Sequence, residues 1–185
     1  MSRYMIRDQH GLNFVTMTTV GWVDIFTRRR YKDIIIDCLK YSQQHKQLQI
    51  FAYVIMSNHV HFIVRAEGET SLTDILRDFK KFTANTILKQ IKNGQFESRK
   101  DWILQHLKLA GDRWCNRKLQ FWQTGYHPIE LYSASVIAQK IRYIHYNPVK
   151  AGWVDEPQHY LYSSASNYVS GTGVLDVEVL LGDLQ

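Results

Sequence analysis

The chain has 185 residues, 45% hydrophobic and 22% charged, with 23 Lys+Arg against 17 Asp+Glu and a formal net charge of +6. That length suits one domain over residues 1–185 and is too short for a (β/α)₈ barrel of about 250 residues. Two cysteines, Cys38 and Cys115, exclude a disulfide framework or a four-cysteine zinc site. No apolar run approaches the roughly 20 residues of a membrane span, and Met1-Ser2-Arg3-Tyr4 lacks the apolar core of a signal peptide. A cytoplasmic protein without a membrane partner is therefore expected.

In chain order, residues 14–20 are rich in β-branched side chains with partial alternation and predict a first strand. Arg28-Arg29-Arg30 leads into a predicted helix over 31–44, where Ile34, Ile35, Cys38, Leu39 and Ser42 fall at helical spacing. The apolar runs 50–56 and 60–64 are separated only by Ser57-Asn58-His59, which predicts a hairpin or near-continuous strand pair. Thr70 or Ser71 caps the next helix, with Asp74 three residues after Ser71 completing the start signature. Its stripe runs through Leu72, Ile75, Leu76, Phe79, Phe82, Ile87, Leu88 and Ile91 and ends near Asn93-Gly94. Residues 94–118 are basic and poorly patterned, helical only around 102–109, and predict a surface excursion. Phe121-Trp122-Gln123 and 127–132 suggest a last strand or pair. A helix over 133–146 should stop at Asn147-Pro148, because proline disfavours the α conformation in the residue before it. The order β-α-β-β-α-β with one more helix predicts an α+β fold: a ferredoxin-like antiparallel sheet with helices on one face, plus a C-terminal helix.

Residues 77–118 hold 11 Lys/Arg against 4 Asp/Glu, whereas the rest of the chain holds 12 against 13. Concentrated positive charge suits a polyphosphate partner, because each neutralised phosphate releases condensed counterions; a solvated helical face accounts for the same charge.

Two local patterns carry chemistry. In His59-Val60-His61 the imidazoles at i and i+2 of a strand share one face and can share one ion, with a third ligand supplied from elsewhere. In Tyr143-Ile144-His145-Tyr146-Asn147-Pro148, Tyr143 and Asn147 lie four apart on one helix face, with Gln139 one turn earlier. A phenol ionises near pH 10, so tyrosine is a weak nucleophile at neutral pH. A divalent cation on the histidines would polarise a phosphodiester, with the Asn147 amide oxygen as third ligand. Attack by Tyr143 would then store the bond energy in a phosphotyrosine link that can be resealed without ATP.

The chain resembles the single-tyrosine HUH transposases, and among them the REP-associated tyrosine transposases. The resemblance is carried, in order, by Tyr53-Val54-Ile55-Met56-Ser57-Asn58-His59-Val60-His61-Phe62-Ile63, by Leu76-Arg77-Asp78-Phe79-Lys80-Lys81-Phe82-Thr83 and by Phe121-Trp122-Gln123-Thr124-Gly125-Tyr126-His127-Pro128. It continues in Tyr143-Ile144-His145-Tyr146-Asn147-Pro148-Val149-Lys150-Ala151-Gly152 and Tyr162-Ser163-Ser164-Ala165-Ser166-Asn167-Tyr168. It implies a ferredoxin-like fold, dependence on Mg²⁺ or Mn²⁺, and nicking and strand transfer on single-stranded hairpin DNA through a 5′-phosphotyrosine intermediate. His59 and His61 would be the metal pair and Tyr143 the nucleophile. Asn147 stands where relatives with mobile insertion sequences carry glutamine. Arg77, Lys80 and Lys81 would face DNA phosphates, and Trp102 and Trp114, inside the basic segment, are the candidates for stacking on unpaired bases. Relatives act as dimers or monomers, so a homodimer is compatible with the resemblance. Two other readings compete: a domesticated protein that binds hairpin DNA without cutting it, and a zinc hydrolase using the two histidines. The second is disfavoured because no Asp or Glu neighbours the pair.

Overall fold

The computed structural model describes residues 5–94, 97–114 and 119–180. Strands β1 (Asn13–Thr18), β2 (Leu48–Ile55), β3 (His59–Ala66) and β4 (Ile129–Glu130) form one sheet in the order β2-β3-β1-β4, every pair antiparallel. Helix α1 (Arg29–Lys46) joins β1 to β2, and α2 (Leu72–Asn93) with α3 (Lys100–Trp114) joins β3 to β4. Helix α4 (Ala134–Lys150) follows β4, and a short α5 (Ala165–Ser170) lies in the C-terminal segment. This is the ferredoxin-like order expected from the sequence. Among the described residues no helix is long and apolar enough to cross a membrane.

The sheet is clad on both faces. Val60 and Phe62 point to the side of α1 and α2, where the Phe62 and Phe79 rings meet edge to face at 5.6 Å. His59, His61 and Ile63 alternate to the opposite side, which α4 covers. Burial on both faces explains why β2 is apolar at nearly every position rather than alternating. In α1 the residues Tyr31, Ile34, Ile35, Cys38, Leu39 and Ser42 are all buried, as their spacing requires. Helix α2 starts at Ser71, whose hydroxyl accepts from the Asp74 amide at 3.1 Å and donates to its carboxylate at 2.9 Å. It ends before Gly94.

Four sequence expectations need correction. Phe82 is 55% exposed, and Thr83 takes its place in the stripe because Phe79, Thr83, Ile87 and Ile91 repeat at four. The Thr83 hydroxyl is satisfied by donating to the Phe79 carbonyl (2.7 Å) and accepting from the Trp122 indole (3.1 Å). The supposed excursion over 94–118 contains α3, which buries Ile103 and Leu107 completely. Glu97 before it is buried, bridging Arg28 and Arg99. Its apolar pattern is thin because the fully covered line on α3 is Ile103, Leu107 and a side-chain-less Gly111, with Leu104 and Ala110 only partly buried beside it. The last strand shrinks to two residues plus a bridge between Thr19 and Trp122. Gly125 and His127 at φ +79° and +40°, followed by Pro128 without an N–H, interrupt the ladder. Finally, α4 does not stop at Asn147 but runs through a buried Pro148 to Lys150; burial of the ring outweighs the one backbone donor it forfeits.

The segment after α4 secures the outer edge of β2. Ile55 N–H donates to the Tyr162 carbonyl (2.9 Å), Ser164 N–H to the Tyr53 carbonyl (3.0 Å) and Glu178 N–H to the Ile50 carbonyl (2.9 Å). That covers an edge that would otherwise pair with other chains. The Lys32 ammonium of α1 lies 4.9–5.8 Å from the ring centroids of Trp153, Tyr160 and Tyr162. It also donates to the Tyr160 hydroxyl at 3.0 Å. Desolvation there lowers the Lys32 pKa, opposed by neighbouring Asp33.

Because Leu107 is fully buried, Leu107→Ala should lower the unfolding free energy by about 2–5 kcal/mol in urea denaturation. A solvent-exposed excursion would show almost no change.

Candidate active site

The site begins with strand alternation. Val60 and Phe62, locked in the core, turn His59 and His61 to the other face, with ring centroids 4.8 Å apart and planes at 69°. The register of β3 on β1 places Thr16 directly opposite His61, and its hydroxyl lies 2.8 Å from His61 Nδ1. Phe14 stacks on the His61 ring at 5.3 Å and 22°. His59 Nδ1 is 2.6 Å from the Asn58 side-chain oxygen. Each imidazole is thus held through Nδ1. A proton assigned to Nδ1 leaves Nε2 as the lone pair, the arrangement outer partners impose on metal-binding histidines.

His61 is 4% exposed, and its Nε2 is buried without a hydrogen-bond partner among the described residues. A buried polar atom left unpaired is unfavourable unless it serves a ligand. Burial pushes the His61 pKa down to about 3, with the charges of His59 and Lys140 acting in the same direction. Burial lowers that of His59 as well. Both rings are therefore neutral at physiological pH, the form that binds a cation. No group of three or more His, Cys, Asp or Glu side chains suited to an ion occurs among the described residues. Two imidazoles with open positions fit a cation shared with substrate, not a closed structural site.

Helix α4 brings the phenol. Ile137, Ile141, Ile144 and Pro148 turn toward the sheet, and Tyr143 stands beside that stripe, 39% exposed. Its ring meets His61 edge-on at 5.2 Å and Phe14 at 6.0 Å. Two ammonium groups lie near it: Lys140 Nζ and Lys150 Nζ are each 5.7 Å from its centroid. Gln139, Arg142, Tyr143, Tyr146 and Lys150 line a shallow groove of about 350 Å³. Asn147, one turn on, donates its Nδ2 to the Tyr143 carbonyl at 2.7 Å, which leaves Oδ1 for another partner. No hydrogen bond joins Asn147 to either histidine among the described residues.

The basic residues singled out in the sequence sit elsewhere. Arg77, Lys80 and Lys81 are on α2, across the sheet from the histidines, where they line a separate groove of about 580 Å³ with residues 119–126. Arg77 is engaged by Asp74 and Asp78, and Lys80 donates to the Gln123 and Gly125 carbonyls at 2.6 and 2.7 Å. Trp102 is 48% exposed on α3 and packs against His106 at 5.2 Å. The side chain of Trp114 lies outside the described residues. Sequence reasoning missed Phe14, Thr16 and Lys150 as members of the site. Alternation in β1 places Phe14 and Thr16 on one face, but only the register assigns them to His61.

Residues 15–107, about half of the chain, match the family model described as "Transposase IS200 like". The chain belongs to the IS200-like transposase family. No curated protein sequence matches significantly. Among solved structures, the chain is similar to the REP-associated tyrosine transposase bound to a REP hairpin, with TM-score 0.66 and 17% identity over 100% of this chain and 96% of that one. A Deinococcus radiodurans R1 chain described as a transposase matches with TM-score 0.43 and 18% identity, over 77% of this chain and 95% of that one.

If His61 Nε2 is kept for function rather than stability, removing both hydrogen-bond partners should help the fold. The double variant His61→Leu/Thr16→Val should gain about 1 kcal/mol in unfolding free energy, measured by denaturant titration. A loss of that size would mark the histidine as structural.

Proposed function

We propose that this chain nicks and rejoins single-stranded DNA beside hairpins, with Tyr143 as nucleophile and His59 and His61 as the protein ligands of Mg²⁺ or Mn²⁺. The observation that carries this reading is the convergence of a partnerless, buried His61 Nε2 with the Tyr143 ring 5.2 Å from the same imidazole. Family membership supports a DNA transposition activity, and the fold it shares with a transposase bound to a REP hairpin supports hairpin DNA as substrate.

A bound divalent cation would polarise a non-bridging phosphate oxygen. His59 and His61, oriented by Asn58 and Thr16, would hold it, with the Asn147 amide oxygen the candidate third ligand. The phenol oxygen of Tyr143 attacks phosphorus, the P–O3′ bond breaks, and the 5′ phosphate stays on the tyrosine. The phenolic proton passes to water, and the departing 3′ oxygen takes one up to leave as a hydroxyl. Reversal with a second 3′ hydroxyl rejoins the strand without ATP. Only an unpaired strand has the backbone freedom to reach a phenol lying against the sheet.

With a labelled hairpin oligonucleotide from DNA flanking the gene, the wild type should give a covalent adduct on denaturing gels, suppressed by EDTA and by His59→Ala. Tyr143→Phe removes only the hydroxyl and leaves the ring against His61 and Phe14, so it should still bind the same DNA and give no adduct. Adduct persisting in Tyr143→Phe would move the nucleophile, with Tyr146 the first to test. Binding without adduct at every divalent ion would identify a hairpin-binding protein that does not cut.

The metal assignment has its own test. Thr16→Val removes the partner of His61 Nδ1 and should weaken Mn²⁺ binding by about 10–100-fold in calorimetric titration. Unchanged affinity would place the ion away from His61.

A further inference from the structure

Helix α4 carries Lys140, Arg142 and Lys150 and no Asp or Glu. Among the described residues none of the three cations lies within ion-pair distance of a carboxylate, whereas Arg28, Arg29, Lys46, Arg77 and Arg99 all do. Two of the three, Lys140 and Lys150, lie close to one phenol. Lys140 Nζ lies 4.7 Å from the Phe14 centroid and 5.7 Å from that of Tyr143, and Lys150 Nζ reaches Tyr143 at the same 5.7 Å. Lys140 is also close enough to act electrostatically on His61. An ammonium held beside an imidazole pair suited to a dication is unfavourable unless an anion sits among them. A phosphodiester is such an anion, and it is the group Tyr143 would attack.

We propose that Lys140 and Lys150 together form a clamp for the DNA phosphodiester presented to Tyr143, and that the groove of Arg142 and Tyr146 continues the path of the strand along α4. This rests on the nicking reading for the identity of the bond attacked. The clamp does not alter the atom balance of that reaction: both lysines hold the non-bridging oxygens through hydrogen bonds and release them after transfer, with no bond made or broken at either one. Arg77 is engaged by Asp74 and Asp78, whereas α4 carries no carboxylate to compete for its lysines.

The test uses the full chain in EDTA, so that no cutting occurs, with a fluorescein-labelled hairpin oligonucleotide bearing a single-stranded arm and anisotropy as readout. Lys140→Gln and Lys150→Gln should each weaken binding and reduce the slope of log K against log salt by about 0.7, the value for one single-strand phosphate contact. Lys40→Gln, an exposed site on α1, should leave the slope at its wild-type value. Lys140→Arg and Lys150→Arg should restore it, and thermal melting verifies folding. A walk of single methylphosphonates along the arm should find one link whose neutralisation weakens the wild type but not the double Gln variant. Wild-type slopes in both Gln variants, or no such link, would overturn the clamp. A clamp seen in EDTA with no wild-type adduct at any divalent ion would overturn the nicking reading and leave the clamp standing.

Discussion

The site depends on the register of β3 against β1. Val60 and Phe62 are held in the core, which obliges His59 and His61 to share the opposite face, and the pairing of Thr16 with His61 orients the inner imidazole. A slip of one residue would turn both histidines toward α1 and α2 and carry Val60 and Phe62 to the α4 face, taking the imidazoles away from Thr16 and Tyr143. The same hydrophobic pattern that stabilises the sheet therefore aims the histidines. Since α4 packs on that face through Ile141 and Ile144, its position relative to the pair is set by core packing too. Two imidazoles and a phenol far apart in sequence meet because the layers between them have one good way to pack.

Charge is organised by the same logic of prior engagement. Arginines and lysines near carboxylates or carbonyl groups act as internal ties. Arg99 joins Asp24 and Glu97, Lys46 joins Asp78 across α1 and α2, and Lys80 holds the 123–125 backbone. Such groups contribute little free charge to a polyanion, since binding it would first require breaking what they already make. The cations of α4 have no such carboxylate or carbonyl partner among the described residues, and two of them, Lys140 and Lys150, lie 5.7 Å from the Tyr143 ring. Local net charge counts side chains without asking what each one already touches, and Arg77 and Lys80 show the difference.

The C-terminal segment holds this arrangement from behind. Main-chain bonds of Tyr162, Ser164 and Glu178 close the edge of β2, and three aromatic rings enclose the Lys32 ammonium next to the turn that follows α4. Partly desolvated cation–π contacts of this kind contribute on the order of 0.5–2 kcal/mol. Buried His145, hydrogen-bonded to Ser164 at 2.9 Å, ties α4 itself to that segment. These are the contacts that keep the helix bearing Tyr143 seated against the sheet.

Local periodicity was legible in the amino-acid order: the two strands of the hairpin, the buried stripe of α1, the Ser71 cap, the shared face of His59 and His61, and Tyr143 with Asn147 one turn apart. Each of these is decided by residues within a turn or a strand of one another. Tertiary structure alone decided the rest. It placed Thr16 and Phe14 against an imidazole 45 residues downstream of Thr16, buried Ile103 and Leu107, carried α4 through Pro148, and left Lys140 and Lys150 free while Arg77 and Lys80 were engaged. Those outcomes turn on pairings across long loops and on competition among partners, and neither has a local signature. A proline penalty, a charge or a weak apolar pattern states a preference, and the packed whole determines which preferences prevail.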